Sequence, residues 1–170
     1  MANPFIPRYV FDSIYDITPA LLEKDGVRGI LIDLDGTMAS RHAARPAATV
    51  APFLKRFLDA GMKVAVLSNN NEDRVRVFCE DLGVPYLHRA FKPARQGFAR
   101  GAQMMGLPLS QCAVIGDQIY TDTFGGNRAG VAATCYVYSY DAQDFFIKLR
   151  YQLEKGFIAR GKKRMEGRKK

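Results

Sequence analysis

The sequence predicts an α/β domain, a mainly parallel β-sheet with helices on both faces. Three observations carry that prediction. Short, β-branched apolar runs alternate with segments of helical periodicity, glycines stand where the helical segments should stop, and polar clusters follow the apolar runs rather than interrupting them. In open sheets of this kind ligands bind beyond the carboxyl ends of the strands, so the polar clusters double as candidate site residues.

The first run, Gly29-Ile30-Leu31-Ile32, is apolar throughout, as a strand covered on both faces should be, and it leads into Asp33-Leu34-Asp35-Gly36-Thr37. Period two places Asp33 and Asp35 on one side and Leu34 on the other. Gly36 permits a sharp exit from the strand, and Thr37 adds a hydroxyl in the turn. A helix is expected over Val50 to Ala60, where Val50, Phe53, Leu54, Phe57 and Leu58 recur at helical spacing before Gly61. The next strand, Lys63 to Leu67, gives way to Ser68-Asn69-Asn70-Asn71.

A helix over Glu72 to Leu82 ends at Gly83, and a short strand near Val84 to Leu87 runs toward Phe91-Lys92-Pro93. Arg95 to Met105 is helical by pattern and stops at Gly106. The strand Cys112 to Ile115 leads into Gly116-Asp117-Gln118-Ile119-Tyr120-Thr121-Asp122, followed by a helix over Thr123 to Arg128 and Gly130. Ala132 to Tyr138 closes the pattern, with Tyr136, Tyr138 and Tyr140 alternating as strand residues do.

A chain of 170 residues, 48% of them hydrophobic, suffices for one well-packed domain and not for two. Residues 1–160 are read as that domain and 161–170 as a basic, flexible tail, in which Lys162, Lys163, Arg164, Arg168, Lys169 and Lys170 face only Glu166. The formal net charge of +8 is therefore unevenly placed, and the tail suits an anionic partner or simply a soluble end. Cys79, Cys112 and Cys135 lack paired ligand spacing, which argues against a disulfide framework or a zinc site and fits a reducing compartment. Cys79 reads as a helix core residue. His42 and His88, each beside an arginine, read as surface or rim residues. No run approaches the ~18 apolar residues of a membrane span, and the first residues lack an export pattern. The expected location is cytoplasmic.

By the strand-end rule, Ser68, Lys92, Asp117 and Asp122 should converge on the edge that carries Asp33 and Asp35. Each group has a task if the substrate is a phosphate monoester. Asp33, at the rigid strand end, can attack phosphorus and form an aspartyl phosphate; Asp35 can protonate the leaving oxygen and then deprotonate water. A dianionic phosphate will not approach several carboxylates without a cation, so Mg²⁺ is required, held by Asp33, Asp117 and the Asp35 carbonyl. Ser68, the neighbouring backbone at Asn69, and Lys92 can hold the phosphoryl oxygens, while Asp122 orients Lys92 or a metal-bound water.

The DxDGT segment, the strand-end Ser68, Lys92 before proline and the GDxxxTD segment match, in order, the four motifs of the haloacid dehalogenase-like (HAD) superfamily, which this chain resembles over residues 29 to 140. The resemblance implies a Rossmann-like HAD fold and hydrolase chemistry. Asp35, two places after Asp33, is similar to the phosphatase branch. Asn3-Pro4-Phe5, Asp12 to Ile17, Ser68-Asn69-Asn70, Gly125 to Arg128 and Phe146 to Arg150 further resemble the YqeG family of class III (IIIA) HAD phosphatases, related to the phosphatidylglycerophosphatases of mitochondria and chloroplasts. Those enzymes carry lysine between the aspartates and usually asparagine after them, where this chain has Leu34 and Gly36. The resemblance implies a phosphorylated substrate, with phosphatidylglycerophosphate as the preferred candidate.

The intervals from Asp33 to Ser68 and from Ser68 to Lys92 are too short for a large cap domain, so the site should be open and admit a phosphate on something large. Phe145, Leu149, Leu153 and Phe157 recur every four residues, beside Lys148, Lys155 and Arg160. Either the helix lies on anionic lipid, giving peripheral membrane contact through the basic C-terminal region, or its stripe packs on the domain, the more economical expectation. Nucleic acid is a weaker candidate, since no recognised module accompanies the tail. Two other functions stay open: a HAD-fold binding module for RNA, ribosome or membrane, and a phosphatase of soluble sugar or nucleotide phosphates.

Overall fold

Period-two alternation of small and branched apolar side chains builds the centre of the molecule, a six-stranded, all-parallel sheet. The structure is a computed structural model that describes residues 3–167. The strands are β1 (Tyr9–Phe11), β2 (Gly29–Ile32), β3 (Lys63–Leu67), β4 (Tyr86–Leu87), β5 (Cys112–Gly116) and β6 (Ala133–Val137), in the spatial order β1-β6-β5-β2-β3-β4. The helices are α1 (Pro19–Glu23), α2 (Val50–Asp59), α3 (Glu72–Glu80), α4 (Arg95–Met104), α5 (Phe124–Ala129) and α6 (Phe145–Gly167). The expected α/β class is the observed one.

Alternation sends each strand to two cores. Ile30, Ile32, Val64, Val66, Ala113 and Ile115 join Phe53, Phe57, Val75 and Phe78 of α2 and α3, whereas Leu31, Ala65, Leu67 and Val114 meet Phe98 and Ala102 of α4. Both faces are covered, so the strands read as unbroken apolar runs. β2 lies in the middle of the sheet, between β3 and β5, and in this register Ile32 stands level with Val66 and Ile115. That alignment brings the ends of β2, β3 and β5 to one edge.

Among the strands and α-helices, two elements fall outside the expected set. β1 is an edge strand of three residues, too short to display a period, and α1 is a single turn started by Thr18, whose hydroxyl accepts from Leu21 N–H at 3.3 Å, and by Pro19. Expected boundaries otherwise shift by one or two residues, except that the short strand shrinks to Tyr86–Leu87.

The C-terminal segment differs more. α6 runs from Phe145 through Gly167, so the stretch expected as a tail is helical over 161–167, and Gly161 packs against Pro7; residues 168–170 lie outside the described residues. The apolar stripe also faces the other way. Ile147, Glu154, Ile158 and Gly161 turn inward, while Phe145, Leu149 and Leu153 are exposed, and only Phe157 of the stripe is part-buried, stacked on Phe5 at 5.2 Å. The expectation that this stripe packs on the domain is corrected, because the helix uses a different arc to dock. Among the described residues no helix is long and apolar enough to cross a membrane.

Candidate active site

β2 ends at Ile32, but Asp33 N–H still donates to the Ile115 carbonyl of β5 at 2.9 Å, which fixes the first aspartate against the sheet. Leu34 turns into the core and is fully buried, so Asp33 and Asp35 face the opposite side, as period two requires. Gly36 has φ +84, and a Cβ there would stand 2.5 Å from Asp117 Oδ2; only glycine lets the turn pass that carboxylate. Thr37 is buried beside the same group, its Oγ1 donating to Asp117 Oδ1 at 3.4 Å.

Lys92 lies between two carboxylates. Its Nζ is 2.7 Å from Asp33 Oδ1 and 2.7 Å from Asp122 Oδ1, all three groups being buried. The main chain of Lys92 is clamped by the side chain of Asn69, which donates to its carbonyl at 2.9 Å and accepts from its N–H at 2.7 Å. Asn69 therefore positions Lys92. Ser68, buried at the end of β3, accepts from Asn70 N–H at 3.1 Å. Asp122 reaches back over Gly116, where a Cβ would lie 2.3 Å from its carboxyl carbon.

Asp35 is held from α3. Arg74 donates through Nε and Nη2 to Asp35 Oδ1 at 3.1 and 2.8 Å, and Asn70 donates to Oδ2 at 3.1 Å. The same guanidinium holds the carbonyls of Ser40 and Ala43, tying the loop after Thr37 to the site. α3 starts on Asn71, whose side chain accepts from Arg74 N–H at 3.0 Å, so one cap sets both the helix and the arginine.

A cavity of about 400 Å³ opens over Asp33, Asp35, Ser68, Asn69 and Lys92. Arg41 and Thr121 stand on its wall, while Asp117, Asp122 and Thr37 lie behind the floor. The structure thus brings all eight expected residues to one edge, in two layers. The interval from Asp33 to Ser68 holds α2 and β3 and that from Ser68 to Lys92 holds α3 and β4, with no separate cap among the described residues. His42 is exposed and His88 half-buried, and neither lines this cavity.

Charge at and beneath the cavity floor is unbalanced. Asp33, Asp117, Asp122 and Glu154 are buried, against the buried Lys92 and the largely buried Arg150. Burial, reinforced by Asp122 and Asp117 and opposed by Lys92, pushes Asp33 up to about 8. Burial works to strip the proton from Lys92, but Asp122 and Asp33 outweigh it and hold the ammonium above its ordinary value. Asp117 is raised by burial, with Arg150 opposing.

Carboxylate oxygens of Asp33, Asp117 and Asp122 lie within 4.8 Å of one another. Three buried hard-oxygen donors with an excess of negative charge fit a divalent cation. The expected set of Asp33, Asp117 and the Asp35 carbonyl overlaps this trio at two residues; the Asp35 carboxylate, which that set does not use, is held by Arg74.

Sequence reading missed Arg74 and Asn70, and it missed Arg150 and Glu154 of α6. Arg150 Nη2 donates to Asp117 Oδ2 at 2.8 Å and to its carbonyl at 3.1 Å, while Glu154 accepts from Ile119 N–H at 2.9 Å and faces Arg150 Nε at 3.5 Å. A signal existed for Glu154. It occupies the spacing of Ile147, Ile158 and Gly161, where an apolar residue is expected.

Residues 14–130 match the family model described as haloacid dehalogenase-like hydrolase. The chain is 34% identical to "Probable phosphatase YqeG" of Bacillus subtilis (strain 168) over 155 residues, covering 91% of this chain and 90% of that protein. It is 26% identical over 166 residues to chloroplastic phosphatidylglycerophosphate phosphatase 1 of Chlamydomonas reinhardtii, covering 91% of this chain and 61% of that protein. Among solved structures, the 3-deoxy-D-manno-octulosonate 8-phosphate phosphatase of Moraxella catarrhalis, in complex with magnesium ion, phosphate ion and KDO, superposes with a TM-score of 0.52 at 12% identity, covering 89% of this chain and 97% of that one. That likeness is one of fold.

Proposed function

The chain belongs to the haloacid dehalogenase-like hydrolase family and is a phosphatase of that family, and on this premise we propose that it hydrolyses a phosphomonoester through an aspartyl phosphate on Asp33. One observation carries the reading: Asp33, anchored through Oδ1 to Lys92 at 2.7 Å, lies under an open cavity with Asp35 fixed beside it by Arg74 and Asn70.

In the first half-reaction an Asp33 carboxylate oxygen bonds to phosphorus as the bond to the leaving oxygen breaks, and Asp35 gives that oxygen a proton. In the second, Asp35 takes a proton from water, the water oxygen bonds to phosphorus, and the Asp33–phosphorus linkage breaks to free phosphate and the carboxylate. Lys92 and Ser68 hold the equatorial oxygens through both transfers, with Asn69 and Asp122 keeping Lys92 in place. Asp33, Asp117 and Asp122 or the Asp35 carbonyl would hold Mg²⁺, which supplies positive charge against the phosphate and favours the ionised form of Asp33.

The preferred substrate is phosphatidylglycerophosphate. Support comes from the relation to the algal enzyme and from a cavity whose open mouth admits a phosphate borne on a large molecule. Comparing specificity constants for this lipid, dispersed in detergent, and for soluble sugar and nucleotide monophosphates tests it. A preference of at least about tenfold for the lipid is expected; equal or better use of a soluble ester would move the assignment to that class.

A further inference from the structure

The first half of α6 has apolar side chains on its outer arc as well as its inner one. Phe145, Phe146, Leu149 and Leu153 are 72, 74, 55 and 65% exposed, a density of large apolar surface found nowhere else on the described chain. Helical spacing continues the stripe of Phe145, Leu149 and Leu153 through Gly156 to Arg160 and Lys163, so one outward line is apolar in its first half and cationic in its second. Lys148, Lys155, Lys162 and Arg164 add exposed cations around it, against Glu166 as the one exposed acid of the described helix.

We infer that this arc is a docking face for an anionic phospholipid bilayer, with the first turns of α6 tilted into the acyl boundary and its second half lying on the headgroups. The inference rests on the proposed lipid-borne substrate and gives its site a means of reaching the surface. Two further features favour a bilayer as the occupant. A second copy paired antiparallel would set cationic halves on apolar halves, and a parallel pair would set cationic halves against each other. A bilayer offers apolar and anionic layers in the order the stripe needs. The face is also tied to the chemistry, since Arg150, between Leu149 and Leu153, holds Asp117.

Cosedimentation of the full chain with vesicles tests this. The probes are phosphatidylcholine alone and phosphatidylcholine mixed with phosphatidylglycerol, neither of which carries a phosphomonoester, so binding is read independently of turnover. Binding to the mixed vesicles is expected, weakened by added salt. A variant with Phe145→Gln, Phe146→Gln, Leu149→Gln and Leu153→Gln should lose at least about tenfold in partition and keep its turnover of p-nitrophenyl phosphate. Arg160→Gln with Lys163→Gln should weaken binding and reduce its salt dependence.

Absence of binding to mixed vesicles, or equal binding by the four-glutamine variant, overturns the inference. So does a wild-type dimer that this variant converts to a monomer, which would assign the face to a second copy. Vesicle binding without hydrolysis of phosphatidylglycerophosphate would remove the proposed substrate and leave the docking face standing.

Discussion

Arg150 donates to both the carboxylate and the carbonyl of Asp117, at 2.8 and 3.1 Å, and so fastens the C-terminal helix to the acidic cluster at the end of β5. Removing the guanidinium leaves a buried carboxylate without its main cation. For Arg150→Ala we expect a loss of about 2 kcal/mol in urea unfolding, below the usual cost for a fully buried pair because the arginine side chain keeps 21% of its exposure. Arg150→Lys should recover part of it, since an ammonium restores charge but not the planar fork. Equal stability of all three proteins would make the contact incidental.

Asp33 is expected to show opposed effects on activity and stability. Asp33→Asn cannot form the aspartyl ester, and turnover of any phosphomonoester should fall at least on the order of 10³-fold. The same change removes a charge from an over-acidic cluster. Burial raises the folded-state value of Asp33 to about 8, so ionisation costs stability progressively as pH rises toward that value, and the cost is complete above it. In chelator at pH 9 the variant should melt at or above the wild-type temperature. A clear fall in melting temperature there, with Lys92 still bonded to Asp122, would mean that the Asp33–Lys92 pair stabilises more than burial costs.

The strand-end layer of the site was legible because strand ends and turns are local. Asp33, Ser68 and Asp117 each follow an apolar run, and one sheet edge collects them whatever the helices do. The residues that hold this layer were not legible, since their roles depend on where two helices lie. Arg74 looks like any exposed helix arginine until α3 is set over the turn at Asp35, and Arg150 until α6 is laid on β1 and on the segment after β5. The direction of the α6 stripe was misread for a related reason: two apolar arcs share the helix, and period alone does not say which one docks.

Asp35→Asn separates the two half-reactions. Asparagine keeps an acceptor for Arg74 but can neither protonate the leaving oxygen nor take a proton from water. An activated ester such as p-nitrophenyl phosphate needs little help in leaving, so the phosphoenzyme should form and then decay slowly. Rapid quench should show a burst followed by a steady rate lowered about 10²-fold or more. A variant with normal steady turnover of an unactivated alkyl phosphate would contradict the acid–base role.

Glu154 offers a pH readout away from the cavity. Burial, opposed by Arg150 and by the Ile119 N–H, raises its carboxyl from an ordinary 4.5 to about 7. The folded protein therefore keeps a proton that the unfolded chain releases. Its contribution to stability is full below 4.5, declines as pH rises, and is gone above about 7. Glu154→Gln has no proton to lose and keeps an acceptor for Ile119 N–H. Any fixed cost of placing an amide beside Arg150 is the same at every pH, so the quantity to follow is the difference in melting temperature between variant and wild type, measured in chelator from pH 4.5 to pH 8. That difference should move in favour of the variant across the interval and flatten above pH 7. A flat difference throughout would show that Glu154 is ionised over the whole range, with its pairing to Arg150 at 3.5 Å strong enough to overcome its burial.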